Sequence, residues 1–162
     1  MGNKPFIFGV ATSGDNFTDR EKETERLLQN FRHGVNTVLI SPRRWGKTSL
    51  VQKVCRLAQS DQLKVVYLDI FSCRSDRDFY DLFASAVLKQ TSSKLEEWLE
   101  NAKLFLSRIT PKISIGPDPM TDFSISLEMN PKSDDIDEIL QLPERIAQKK
   151  RCSIVVCIDE FQ

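Results

Sequence analysis

The sequence predicts an α/β fold built on a mainly parallel sheet. Three short apolar runs rich in β-branched residues, Val35–Ile40, Lys64–Ile70 and Ile154–Ile158, have the length and composition of buried strands. Stretches with apolar residues at helical spacing lie between them. Strand and helix therefore alternate, the order that a parallel sheet with helical crossovers requires.

Residues 1–17 carry Gly2, Pro5, Gly9 and Gly14 and suit an extended lead-in. Thr18-Asp19-Arg20-Glu21 has the T-x-x-E pattern of a capping box. The helix it opens should bury Leu27, Leu28 and Phe31 and end at His33-Gly34. Val35–Ile40 follows as the first buried strand, bounded by Ser41-Pro42. A helix over Thr48–Ala58 presents Leu50, Val51, Val54, Leu57 and Ala58 inward. After the second strand, Asp76 can cap a helix that buries Phe79, Leu82, Phe83, Ala86 and Val87. The next helix carries Leu95, Trp98, Leu99, Ala102, Phe105 and Leu106 on one face.

Residues 111–130 change period. Lys112-Ile113-Ser114-Ile115 and Phe123-Ser124-Ile125-Ser126-Leu127 alternate, with the turn cluster Gly116-Pro117-Asp118-Pro119 between them. That is the pattern of a β-hairpin inserted into the α/β domain. Its apolar face suits packing on the parent domain or docking of a partner. Helical spacing resumes at Asp134 with Ile136, Ile139, Leu140, Ile146 and Ala147, and Pro143 should kink or restart the helix. Lys149, Lys150 and Arg151 suit its C-terminus, and the third strand ends in Asp159-Glu160.

The 162 residues are enough for one domain, and 40% hydrophobic content is enough for a core. Lys plus Arg and Asp plus Glu both number 23, so the zero net charge excludes a strongly basic nucleic-acid binder or an acidic tail. No apolar run is long enough to span a membrane. The cysteines, Cys55, Cys73, Cys152 and Cys157, show no CxxC spacing, and His33 is the single histidine. Neither a zinc site nor a disulfide framework is expected. The N-terminus lacks the apolar core of a signal peptide, and Phe6 breaks a myristoylation pattern. A reducing cytoplasm is the expected compartment.

The junction of the first strand and the next helix reads Ser41-Pro42-Arg43-Arg44-Trp45-Gly46-Lys47-Thr48. It follows the phosphate-loop pattern G-x-x-x-x-G-K-[ST], with Ser41 in place of the first glycine. Such a loop curls so that backbone N–H groups and a helix N-terminus face one anion. Gly46 supplies the small residue, Lys47 the cation for β- and γ-phosphates, and Thr48 a hydroxyl for Mg²⁺. Pro42, Arg43, Arg44, Trp45 and Ser49 complete the nucleotide-contacting stretch, with Arg43 and Arg44 facing phosphate or solvent. The second piece is Ile154-Val155-Val156-Cys157-Ile158-Asp159-Glu160. An apolar strand ending in Asp places a carboxylate for the Mg²⁺ shell, and an adjacent Glu is suited to polarising a water.

Together these residues resemble the P-loop ATPases of the AAA-like and STAND groups, in particular prokaryotic AAA-family ATPases. The resemblance also takes in Asn3-Lys4-Pro5-Phe6-Ile7-Phe8-Gly9, Phe17-Thr18-Asp19-Arg20-Glu21 and Val156-Cys157-Ile158-Asp159-Glu160-Phe161-Gln162. It implies a three-layer α/β/α P-loop NTPase fold, with ATP and Mg²⁺ as cofactors. Lys47 and Glu160 would be catalytic, Thr48 and Asp159 would hold the metal, and Phe8, Gly9, Val10 and Phe17 are candidates for the base pocket or for core packing.

The implied function is Mg²⁺-dependent ATP hydrolysis in a molecular switch or motor. The alternatives are a nucleotide-binding regulatory module without turnover and a P-loop small-molecule kinase, against which the Asp-Glu pair weighs. A DNA or protein effector has no positive sign in the residues; Lys149-Lys150-Arg151 is too short a basic run. The resemblance also implies that the chain is the N-terminal portion of one ATPase domain, ending after the Walker B strand. The sheet order of the group then places a missing strand between the phosphate-loop strand and the Asp-Glu strand. A sheet without its middle strand leaves backbone groups unmet, at about 1–3 kcal/mol for each buried one. The 162-residue chain alone is accordingly expected to be unstable, partly open or held by a partner. A cooperative melt with well-dispersed amide resonances would refute this.

Overall fold

The computed structural model describes residues 20–42, 44–106, 111–115, 123–127 and 133–161. Among them are six helices and four strands in the order α1 (Glu21–Arg32), α2 (Lys47–Ala58), β1 (Leu63–Asp69), α3 (Asp76–Thr91), α4 (Leu95–Phe105), β2 (Pro111–Ile115), β3 (Phe123–Leu127), α5 (Ser133–Leu140), α6 (Leu142–Lys150) and β4 (Ser153–Asp159). The fold is α/β. No described helix is long and apolar enough to cross a membrane.

β1 and β4 pair in parallel from Leu63↔Ser153 to Asp69↔Asp159. Side chains alternate across this pair, so each face meets its own helices. Val66 and Leu68, with Ile154 and Val156, join the main core with Phe83, Val87 and Leu88 of α3, Trp98 and Ala102 of α4, Ile139 of α5 and Leu142 and Ile146 of α6. Leu63 and Val65, with Val155 and Cys157, meet Cys55 and Ala58 of α2 and Leu28 and Phe31 of α1. Leu27, Leu50 and Val54 seal α1 against α2. Helices thus cover both faces of the parallel pair.

The period change at 111–130 is the predicted hairpin: β2 and β3 are antiparallel, with Ile113 opposite Ile125. β3 lies against α3, on the parent domain. The turn cluster 116–119 lies outside the described residues, as do the lead-in and Thr18 of the expected capping box. α1 starts after Arg20, without a side-chain cap, and ends at His33, with Gly34 at φ +65°. Helical spacing breaks at Gln141, and Pro143 sits in the first turn of α6, where its missing N–H costs nothing.

Several expectations are corrected. Val35–Ile40 is not a buried strand: it joins no ladder among the described residues, and Val38 and Ile40 are 85% and 89% exposed. The described parallel sheet has two strands, β1 and β4, and this run is neither of them. β4 is half-buried rather than buried, since among the described residues only β1 flanks it. Leu57 and Leu140 point outward at the ends of α2 and α5. α3 is capped by the Ser75 hydroxyl, which accepts from the Asp78 N–H, and Asp76 is its first residue.

The outer edge of β1 is closed by side chains. The Gln90 amide accepts from the Tyr67 N–H at 2.9 Å and donates to the Tyr67 carbonyl at 2.9 Å, bonding as a neighbouring strand would. Gln59 Oε1 accepts from the Val65 N–H at 2.8 Å. An edge finished in this way resists further pairing. Replacing Gln90 by Leu keeps the volume and leaves both Tyr67 backbone groups unmet. The expected loss is about 1–3 kcal/mol of stability, read from urea unfolding. An unchanged midpoint would show that the two bonds contribute nothing net.

Candidate functional site

Parallel strands place their carboxyl ends on one side, and here that side carries the end of β4 and the start of α2. The segment before α2 turns back through Arg44 at φ +64° and Gly46 at φ +70°. Left-handed backbone is open to glycine but costs a residue such as arginine of order 1–3 kcal/mol. A Cβ on Gly46 would meet no atom within 4 Å, so glycine is required there by the dihedral and not by crowding.

α2 differs from α1, α3, α4 and α6. Each of those has an acidic residue in its first turn, whereas α2 has none and no side-chain cap. It starts instead with Lys47-Thr48-Ser49. The N–H groups and positive dipole end of α2 therefore have no acidic residue of their own first turn to face. The Lys47 ammonium folds back over the preceding segment and donates to the Ser41 carbonyl at 2.9 Å and to the Pro42 carbonyl at 3.4 Å. Ser41 Oγ is buried and has no hydrogen-bond partner among the described residues.

Both pieces of the sequence pattern meet at Asp159. The Thr48 hydroxyl donates to Asp159 Oδ2 at 2.9 Å, across 111 residues of chain. The Glu160 N–H donates to Oδ1 at 2.9 Å. Glu160 itself is exposed and left-handed, at φ +57°. The structure thus brings Lys47, Thr48 and Asp159 to one place, with Glu160 next along the chain. Pro42, Arg44 and Trp45 are exposed, and Ser49 is buried in the first turn of α2. Arg43, Phe8, Gly9, Val10 and Phe17 lie outside the described residues, so the expected base pocket does as well.

Sequence reasoning passed over Tyr67. Its hydroxyl donates to the same Asp159 Oδ2, at 2.7 Å. Tyr67, Cys157 and Asp159 share the α2-facing side, with Tyr67 in register opposite Cys157. A tyrosine inside an apolar strand run needs a hydrogen-bond partner for its hydroxyl, and that need was the available signal. Burial, followed by the bond to Asp159 and its charge, pushes the Tyr67 phenol well above its ordinary value.

A hydroxyl and a carboxylate, both hard oxygen donors, suit Mg²⁺ better than a softer metal. No cluster of three or more His, Cys, Asp and Glu exists among the described residues. Mg²⁺ needs none, because it keeps waters and takes its remaining ligands from phosphates. The orphaned Ser41 hydroxyl and the uncapped α2 N-terminus fit an anion at the same place.

The sequence contains two tyrosines, which makes Tyr67 directly readable. Tyr67 should not ionise in the folded chain as pH rises through about 10–11, judged by the difference in ultraviolet absorbance between the parent and Tyr67→Phe. The folded value lies above the unfolded one, so this group's stabilisation is complete below the unfolded value and is lost at higher pH. Tyr67→Phe should remove that alkaline decline; a Tyr67 phenolate forming in the folded state over that range would refute the bond to Asp159. No protein-family model matches this chain, and no match was found among curated proteins or solved structures.

Proposed function

We propose that this chain carries a P-loop nucleotide site that binds ATP and, with Mg²⁺, hydrolyses it, as part of an AAA- or STAND-like switch or motor domain. The observation that carries the proposal is the 2.9 Å bond between Thr48 and Asp159. Two motifs 111 residues apart in sequence converge on one point, in the arrangement that a loop hydroxyl and a strand-end carboxylate need to share a metal shell.

In this reading the segment from Pro42 to Ser49 wraps the phosphates with backbone N–H groups and the start of α2. Lys47 exchanges its carbonyl partners for β- and γ-phosphate oxygens and neutralises charge that develops on them. Thr48 and Asp159 hold Mg²⁺, which when bound supplies further charge neutralisation on the same oxygens. Glu160 orients a water for in-line attack on the γ-phosphorus and takes its proton. The carboxylate next to Asp159 favours water over an alcohol as acceptor, and so hydrolase over kinase.

The P-loop sheet order is part of the proposal. A further parallel strand would lie between Val35–Ile40 and β4. The finished edge of β1, the absence of any strand on the other side of β4 among the described residues and the exposure of Val38 and Ile40 support this order.

Titration with ATP in the presence and absence of Mg²⁺ tests the site. Lys47→Ala should weaken binding roughly 10–100-fold, as loss of a charge-assisted hydrogen bond does. Binding equal to the parent would sink the assignment. Glu160→Gln should keep ATP binding and lower phosphate release about 10²–10⁴-fold; unchanged turnover would remove Glu160 from the mechanism.

A further inference from the structure

Cys55 and Cys157 meet on the side of the sheet that faces α2. Their Sγ atoms are 3.7 Å apart, although the residues are separated by 102 positions in the chain. Both are half-buried, and they pack in one cluster with Ala58, Val65 and Val155. We propose that Cys55 and Cys157 form an oxidisable dithiol, a modification site at which hydrogen peroxide creates a disulfide that fastens α2 to β4.

The sulfurs must close from 3.7 Å to about 2.05 Å, through side-chain rotation and a small shift of α2 along β4. With Cys55 deprotonated its sulfur is the nucleophile, and the same steps run with the two cysteines exchanged. The Cys55 thiolate attacks one peroxide oxygen, the O–O bond breaks and hydroxide leaves, taking up the thiol proton as water. Cys55 is then a sulfenic acid. The Cys157 sulfur attacks Cys55 Sγ, the S–O bond breaks, and a second water leaves with the Cys157 proton. Two thiols lose two electrons in total, and one peroxide is reduced to two waters.

Position gives the bond its consequence. Cys55 lies two helical turns beyond Thr48 on α2, and Cys157 lies two residues before Asp159 on β4. The elements already joined at Thr48–Asp159 would gain a second, covalent tie on the same face. Closing a loop of 102 residues restrains the unfolded chain strongly. A transient bond of this kind is compatible with a reducing compartment, where cytosolic disulfides are mostly redox-sensing. The inference concerns these two elements alone and stands whether or not the chain binds ATP.

The test treats the folded, reduced protein with a small molar excess of hydrogen peroxide, blocks remaining thiols with N-ethylmaleimide and maps peptides by mass spectrometry. The expected product is a cross-linked pair containing Cys55 and Cys157, two hydrogens lighter than the separate thiol peptides. The melting midpoint should rise by roughly 5–15 °C and return on adding dithiothreitol. A Cys73→Ser/Cys152→Ser chain should form the same bridge, and Cys157→Ser should not. Because the map is read on the parent chain, it does not depend on a variant folding. Maleimide on both Cys55 and Cys157 after oxidation would overturn the proposal. So would sulfinic acid at Cys55 without a bridge, or a bridge made by Cys73 or Cys152.

Discussion

The Asp159 carboxylate is the point on which this end of the molecule depends. It accepts from Thr48 on α2, from Tyr67 on β1 and from the Glu160 N–H beyond β4. A carboxylate at a strand end is costly to remove from water unless its lone pairs are met, and donors from three parts of the chain meet them here. The same bonds fix where α2 begins relative to the sheet, and so where Lys47 and the left-handed turn at Arg44 and Gly46 lie. Charge satisfaction and loop placement are one constraint.

The two edges of the parallel pair show how the rest of the fold is arranged around that point. β1 ends the sheet, because Gln90 and Gln59 occupy the backbone groups that another strand would use. Among the described residues β4 has no such covering, and the apolar run 35–40 stands exposed before the loop that leads into α2. The main core lies on the opposite face, where α3 to α6 bury Trp98, Leu88 and Ile139 completely. Packing is therefore dense on the face away from α2 and thinner on the face that carries the candidate chemistry. That unevenness lets one thiol pair bridge α2 and β4 without disturbing the large cluster.

Local physics made most elements legible in advance. Apolar spacing found α1 to α4, period-two alternation found the hairpin, and Pro143 pointed to a kink or restart, which the structure places as the start of α6. β-branched composition found β1 and β4, where a partner strand and helices were present to reward it. The same composition misled at Val35–Ile40, because strand propensity is a preference for a half-buried pleated surface, and this run is exposed and joins no ladder among the described residues. Capping was misplaced by a residue at α3, where serine and aspartate are both good N-caps and only backbone geometry chooses between them.

The candidate site divides in the same way. The sequence by itself determined its chemical parts: Lys47, Thr48, Asp159 and Glu160 follow from residue type and from their order beside strand and helix patterns. Only the tertiary structure decided that Thr48 and Asp159 touch, that Tyr67 is the third partner, that Gln90 finishes one edge and that Cys55 meets Cys157. Each of these rests on parallel register and on which face of α2 meets the sheet. Those quantities come from packing between segments tens of residues apart, and no local spacing encodes them.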